Sequence, residues 1–237
     1  MSEPVYKRVL IKISGEALSG SKGTGFDFGF VSDVCDTVKR CTEIGVQVAI
    51  VIGGGNFWRG VKDGAGKVER VSADKMGMLA TAMNCLAVAD VFKQIGVDAK
   101  VLTAIDIQGV GERHDARRAI DYLEAGKVVL FACGTSQPFF STDTGAALRA
   151  AEIHADAILL AKNIDGVYSD DPRKNPAAVK FDEISYSEVL ERRLAVMDST
   201  ATSLAMDNSL PVIVFALAEP ENILRVLMGE KVGTTVK

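Results

Sequence analysis

Three stretches of the chain combine small residues, hydroxyls and a cation in a way that suits phosphate. The first is Lys12-Ile13-Ser14-Gly15-Glu16-Ala17-Leu18, and the second is Gly53-Gly54-Gly55-Asn56 with Arg59 and Gly60 close behind. The third, Gly134-Thr135-Ser136-Gln137-Pro138-Phe139-Phe140-Ser141-Thr142-Asp143-Thr144, is the most telling. It follows the apolar run Val128 to Cys133 and leads into an alanine-rich helical pattern. A helix N-terminus exposes unpaired amides and the positive end of a dipole, so a strand–loop–helix junction of this composition favours anions. One such junction says little. Three at the ends of parallel strands suggest a protein that handles two phosphorylated molecules together.

Individual residues sharpen that reading. Lys12 ends the first apolar run, where a cation can neutralise phosphate oxygens while the Ser-Gly amides cradle them. A solvent-reaching lysine is the alternative, and the adjoining turn weighs against it. Arg59 offers a planar fork suited to a phosphate dianion, unless it is an ordinary surface arginine. Asp74 falls in the first turn of a long helix, where it complements the dipole or accepts from a hydroxyl such as a ribose. Asp143 and Asp198 are the acids most plausibly near a transferring phosphate, and either could simply start a helix. Gly20-Ser21-Lys22 exchanges the lysine and serine of a P-loop, so this segment reads as a mobile loop over the site. Counting a dinucleotide fingerprint from Gly53 puts Trp58 at its last glycine. No Ser-His-Asp or Cys-His arrangement assembles. That suits phosphoryl transfer, which depends on positioning and charge neutralisation.

These residues need a scaffold of alternating elements. Strand-like runs occur at 6–13, 46–52, 97–102, 127–133, 157–161 and 211–216, and their continuous Val/Ile/Leu character suits strands covered on both faces. Helical patterns span 30–44, 72–95, 115–125 and 142–154. Gly45, Gly96 and Gly126 follow three of them, and Ser72, Asp115 and Thr142 are candidate N-caps. The alternation predicts an α/β fold, a three-layer α/β/α sandwich with a central, mainly parallel sheet. Ligands of such folds gather at the carboxyl ends of the strands. Past Lys162 the chain turns polar, so a single domain over 1–237 is expected, with lobes meeting near residue 160. The helix 72–95 is apolar on more than one face, which fits either a core helix or a subunit contact.

Composition narrows the classes. The 237 residues carry a net charge of −4, 48% hydrophobic and 24% charged residues, and no basic stripe with interleaved aromatics, so nucleic acid is not an expected partner. The start of the chain lacks the features of a signal peptide, and no stretch approaches the ~20 apolar residues of a membrane helix, so a cytoplasmic protein is expected. Cys35, Cys41, Cys85 and Cys133 form no CxxC pair, and with only His114 and His154 available a zinc site is not expected.

The stretches Lys12–Leu18, Gly53–Asn56 with Arg59-Gly60, Asp74–Met78, Gly134–Asp143, Asp165–Tyr168 and Val196–Asp198, in that order, resemble the bacterial uridylate (UMP) kinases of the amino-acid kinase superfamily. The resemblance runs from about Tyr6 to Lys231. It implies transfer of a phosphoryl group from ATP to UMP in pyrimidine nucleotide biosynthesis, with magnesium (Mg2+) carried mainly on the nucleotide phosphates. Lys12, Ile13, Ser14, Gly15, Gly55 and Arg59 would meet ATP phosphates, and Lys162, Asn163, Tyr168 and Asp171 would line the adenine nucleotide pocket. Gly54, Arg59, Asp74 and the loop Thr135, Ser136, Gln137, Pro138, Phe139, Phe140, Ser141 and Thr142 would hold UMP. Lys12 and Asp198 would be catalytic, with Asp198 orienting Lys12. A 1–160 lobe would serve UMP and a 161–237 lobe ATP. Homohexamers, GTP activation and UTP inhibition also follow from the resemblance. A carboxylate kinase of the same superfamily and a non-catalytic nucleotide-binding protein are the rival readings.

Overall fold

The computed structural model describes residues 3–59 and 66–237. Gly60 of the second glycine-rich stretch lies outside them. The continuous apolar runs become strands: β1 (Arg8–Ile13), β2 (Gln47–Ile52), β3 (Ala99–Thr103), β4 (Glu112–Arg113), β5 (Val128–Ala132) and β6 (Ala157–Lys162). Further on come β7 (Val167–Tyr168), β8 (Lys180–Phe181), β9 (Glu183–Ile184), β10 (Val212–Ala216) and β11 (Thr234–Val236). Nine of these form one sheet in the order β4-β3-β5-β2-β1-β6-β10-β11-β9, parallel throughout except between β10 and β11, while β7 and β8 pair separately. Position 160 falls inside β6, which pairs with β1 on one side and β10 on the other, so one sheet spans both flanks of that point.

Helices cover both faces: α1 (Gly15–Leu18), α2 (Phe28–Glu43), α3 (Arg70–Gln94), α4 (Ala116–Glu124), α5 (Thr142–Glu152), α6 (Tyr186–Glu191), α7 (Ser199–Asp207) and α8 (Asn222–Leu227). Val9, Ile11 and Ile13 of β1 enter a core with α2, α3 and α8, and Leu10 enters a second core with α4, α5, α6 and α7. Alternation therefore persists along the central strands β1, β2, β5, β6 and β10, but both of their sides are covered, and the sequence shows unbroken apolar runs. This is the expected three-layer α/β/α sandwich.

Element starts differ from expectation where no side chain marks them. Asp115 caps α4 as expected, accepting from Arg118 N at 2.8 Å. Ser72 caps nothing: α3 begins two residues earlier, at Arg70, with no side-chain cap. Thr142 lies inside α5, and the cap is Ser141, whose hydroxyl accepts from Asp143 N and Thr144 N. The two faces of α3 have separate fates. Met78, Ala82, Cys85, Val88 and Phe92 are buried, whereas Met76, Leu79, Met83 and Leu86 are 40–49% exposed. By length and composition alone α3 is also apolar enough to cross a membrane, contrary to the expectation from sequence, and half of its most apolar stretch is buried inside the protein. The four cysteines are free and buried, and burial pushes the Cys133 thiol up to about 11 and those of Cys35 and Cys41 to about 12.

Candidate active site

The loops after β1, β2 and β5 share one edge of the sheet because their strands are neighbours. The first two touch. Gly53 N donates to Ile13 O at 2.9 Å, and a Cβ on Gly15 would sit 2.2 Å from Gly53 O. A Cβ on Gly54 would lie 2.8 Å from Gly77 O of α3. Glycine is required at both positions because backbone occupies the space a side chain would need. The result is a wall of small residues pressed between α1 and α3.

The third loop turns through left-handed backbone at Cys133, Gly134, Ser136 and Phe139, with φ between 56° and 71°. Such conformations cost roughly 1–3 kcal/mol at a non-glycine residue and persist only when surroundings enforce them. Here α3 and α5 do so. Cys133 N donates to Thr81 Oγ1 at 2.8 Å, and Phe139 N donates to Asp74 Oδ2 at 2.8 Å. Asp74 also receives Arg70 Nε at 2.8 Å, and the Arg70 guanidinium lies 5.2 Å from the centre of the Phe139 ring. From α5 the buried Arg149 donates to Gly134 O at 3.0 Å and to Glu152 Oε2 at 2.6 Å, and His114 Nε2 lies 2.8 Å from the same Glu152 oxygen. Burial pushes the pKa of Glu152 up, but the hydrogen bonds to His114 and Arg149 prevail and hold it below the usual carboxylate range.

Lys12 lies at the end of β1 with its ammonium 2.6 Å from Asp143 Oδ1, both side chains largely buried. The ion pair of Lys12 is with Asp143, while Asp198, expected to orient Lys12, is bonded elsewhere. The reason is local: Asp198 caps α7 through Ala201 N at 3.0 Å and accepts the hydroxyls of Ser141 and Thr144, so its oxygens are taken by the start of α5. Lys162, at the end of β6, donates to Val196 O. Burial holds its ammonium below the usual lysine range, and the nearby Lys12 charge adds to that against the opposing pull of Asp143. Arg59 pairs with Glu16 at 2.9 Å and donates to Gly55 O at 3.3 Å.

Two cavities open on this edge. The larger, about 890 Å³, is lined by Lys162, Asn163, Tyr168 and Asp171 together with Asp143. The smaller, about 380 Å³, is lined by Gly54, Gly55, Arg59, Asp74 and the third loop at Thr135, Gln137, Phe139, Phe140, Ser141 and Thr142. Lys12 and Ser14 line both. Gly15 and Gly55, expected on the ATP side, line the smaller cavity. Ile13 points into the core and its carbonyl is taken by Gly53, and Ser136, Pro138 and Asp198 line neither cavity. Sequence reasoning passed over Arg70, Trp58 and Thr81 in the smaller cavity and Arg173, Arg192 and Arg193 in the larger. Only Arg70 carried a signal, its i,i+4 spacing to Asp74.

The amino acid kinase family model matches residues 7–216. The chain belongs to the amino acid kinase family. Within it, two uridylate kinases from strains of Streptococcus thermophilus are 54% identical over all 237 residues, covering 97% of each relative. Among solved structures, the UMP kinase from Bacillus anthracis is 38% identical with a TM-score of 0.94, covering 98% of this chain and 96% of that one. The UMP kinase from Ureaplasma parvum is 36% identical with a TM-score of 0.92, covering 98% of both chains. The chain places its glycine-rich contacts in the smaller cavity and Lys12 where the two cavities meet.

Proposed function

We infer that this chain transfers the γ-phosphoryl group of ATP to UMP, giving UDP and ADP, within pyrimidine nucleotide synthesis. The observation that carries this reading is the meeting of two cavities at Lys12 and Ser14. A donor in one and an acceptor in the other would bring their phosphates together there, which is most of what this chemistry needs. The larger cavity, served by Lys162, Asn163, Tyr168 and Asp171, suits ATP, and the smaller suits UMP. The chain's uridylate kinase relatives and the phosphate-friendly loops support the pairing.

Each residue then has a task. Lys12 neutralises charge on the transferring group, and Asp143 keeps its ammonium at the junction. Arg59 turns from Glu16 to the acceptor phosphate. Asp74 spends three acceptor sites on Arg70 and Phe139 N, and the remainder can take a ribose hydroxyl. Asp198 acts through the start of α5 rather than on substrate. Among the described residues no cluster of three or more His, Cys, Asp or Glu gathers to hold a metal. Magnesium brought on the ATP phosphates would supply further charge neutralisation, and Asp143, which lines the larger cavity, would offer it a carboxylate.

The exposed stripe Met76, Leu79, Met83 and Leu86 supports self-association through α3, and the family resemblance extends this to a hexamer with GTP and UTP as effectors. A cytoplasmic location belongs to the same reading. A coupled assay of ADP release with magnesium-ATP tests the function across UMP, CMP, acetylglutamate and aspartate. UMP should stimulate release most. Stimulation by acetylglutamate or aspartate alone would transfer the chain to the carboxylate kinases, and no stimulation by any acceptor would leave a nucleotide-binding protein.

A further inference from the structure

Behind the glycine wall, two asparagines are locked face to face. Asn56 ends the second loop, Asn84 lies in the middle of α3, and both are buried. Asn56 Nδ2 donates to Asn84 Oδ1 at 2.9 Å, and Asn84 Nδ2 donates back to Asn56 Oδ1 at 2.8 Å. Each amide spends its second N–H on a backbone carbonyl: Asn84 on Gly53 O at 2.7 Å, Asn56 on Gly25 O at 2.9 Å. Those carbonyls only accept, so they settle which way each amide faces. All four N–H donors are thus satisfied within the buried pair and its two carbonyls. A fully buried mid-helix asparagine is uncommon, and its side-chain bonds do not serve α3 itself. They serve the loop.

We propose that Asn84 is a positioning residue for transfer: through the interlocked pair with Asn56 it sets the height of Gly53–Gly55 against Gly15 and Lys12. Asn84 lines neither cavity, so it acts only through backbone it holds. The tolerances are small. A Cβ on Gly15 would come within 2.2 Å of Gly53 O and 2.7 Å of Asn56 Oδ1, so the atoms Asn84 grips are those that meet the first loop. The same pair reaches a third segment, since Asn56 O accepts Thr24 Oγ1 at 2.9 Å and Gly25 N at 3.2 Å. The stretch after α1, expected to be a mobile loop over the site, is pinned to the glycine wall by this knot. Gly54 and Gly55 line only the smaller cavity, so the effect should fall on the acceptor and not on ATP. This proposal rests on the assignment of that cavity to UMP.

Asn84→Ala and Asn84→Asp test it, with kcat, the KM for each substrate and the melting temperature measured from pH 6 to pH 8. Asn84→Ala should lower kcat/KM for UMP at least tenfold while the KM for ATP stays within threefold. Asn84→Asp keeps the shape but turns the donor toward Gly53 O into an acceptor, and a buried carboxyl titrates high. Its kcat/KM for UMP, relative to the parent, should therefore recover as the pH falls and an O–H donor returns. A merely structural asparagine would lower the melting temperature and leave the pH dependence of kcat/KM parallel to the parent's. That parallel profile, or kcat/KM for UMP within twofold of the parent in Asn84→Ala, overturns the proposal. If Asn84→Ala does not fold, the Asn84→Asp profile decides alone. Failure of the acceptor assignment itself is separate, because it appears in the unsubstituted chain as ADP release that ignores UMP.

Discussion

Lys12→Ala removes the cation shared by both cavities, and the structure sets the scale of what should follow. The Lys12 side chain is only 12% exposed, so its charge acts through a medium well below the dielectric of water. At about 4 Å and an effective dielectric near 20, one unit of charge is worth ~4 kcal/mol. Charge that is already bound in the ground state contributes to both states, and only what develops during transfer changes the rate. Loss of a donor of this kind typically costs ~10²–10³-fold in kcat, or ~2.7–4 kcal/mol. The KM for UMP should move much less. Stability should fall as well, because Asp143, 17% exposed, loses its partner. Lys162 still faces that carboxylate, so the loss should stay near ~1–3 kcal/mol, the range for an unsatisfied buried group. For a chain of this size that is roughly 2–4 °C of melting temperature per kcal/mol. Lys12→Arg restores the charge without the compact ammonium, and should recover the melting temperature more fully than kcat. Steady-state coupled assays and calorimetry read both effects. A Lys12→Ala enzyme whose kcat stays within threefold of the parent, with only ATP binding weakened, would refute the reasoning.

Arg59→Ala should raise the KM for UMP about 2- to 100-fold. A charge-assisted bond worth ~1.5–3 kcal/mol is lost, less the ~0.2–1 kcal/mol of the half-exposed Glu16 pair that binding must break. Conversely Glu16→Ala removes one partner that holds Arg59 and should lower that KM a few-fold, and unchanged UMP saturation in both variants would leave Arg59 outside the site. Leu79→Asp with Met83→Asp charges the exposed stripe of α3 and should shift sedimentation toward smaller species, whereas a parent chain already monomeric at micromolar concentration contradicts the interface. Glu152 ionises more readily in the fold than in the unfolded chain, so the stability it contributes is present above its unfolded value of about 4.3 and lost as pH falls through its lower folded value. Glu152→Gln should therefore lower the melting temperature at pH 7 and flatten its decline below about pH 4.3; an acid limb as steep as the parent's would show that another group governs it.

Local chemistry made much of the fold and the three loops legible. Continuous Val/Ile/Leu runs announce strands covered on both faces, and glycine and hydroxyl clusters announce the loops after them. Asp115 is legible as a cap because its own side chain makes the bond. The start of α3 is not, because Arg70 and Val71 enter the helix without a side-chain cap. The apolar character of residues 72–95 suggested a helix in contact on several sides but could not say which side the monomer covers. Packing decided that, burying the Met78 side and leaving the Met76 side to solvent.

By itself the sequence determined where the chemistry that favours phosphate lies along the chain, since amide-rich turns, hydroxyls and cations act through their own backbone and side chains. Pairing between distant residues was left to the tertiary structure. Lys12 meets Asp143 because β1, β2 and β5 are neighbours and Ser141 caps α5, turning its first residues toward the end of β1. The chains from His114 through Glu152 and Arg149 to Gly134, and from Gly25 through Asn56 to Asn84, join segments tens of residues apart. No spacing rule encodes such contacts. They exist because the sheet order brings their elements together and a buried donor or acceptor must find a partner where water cannot reach.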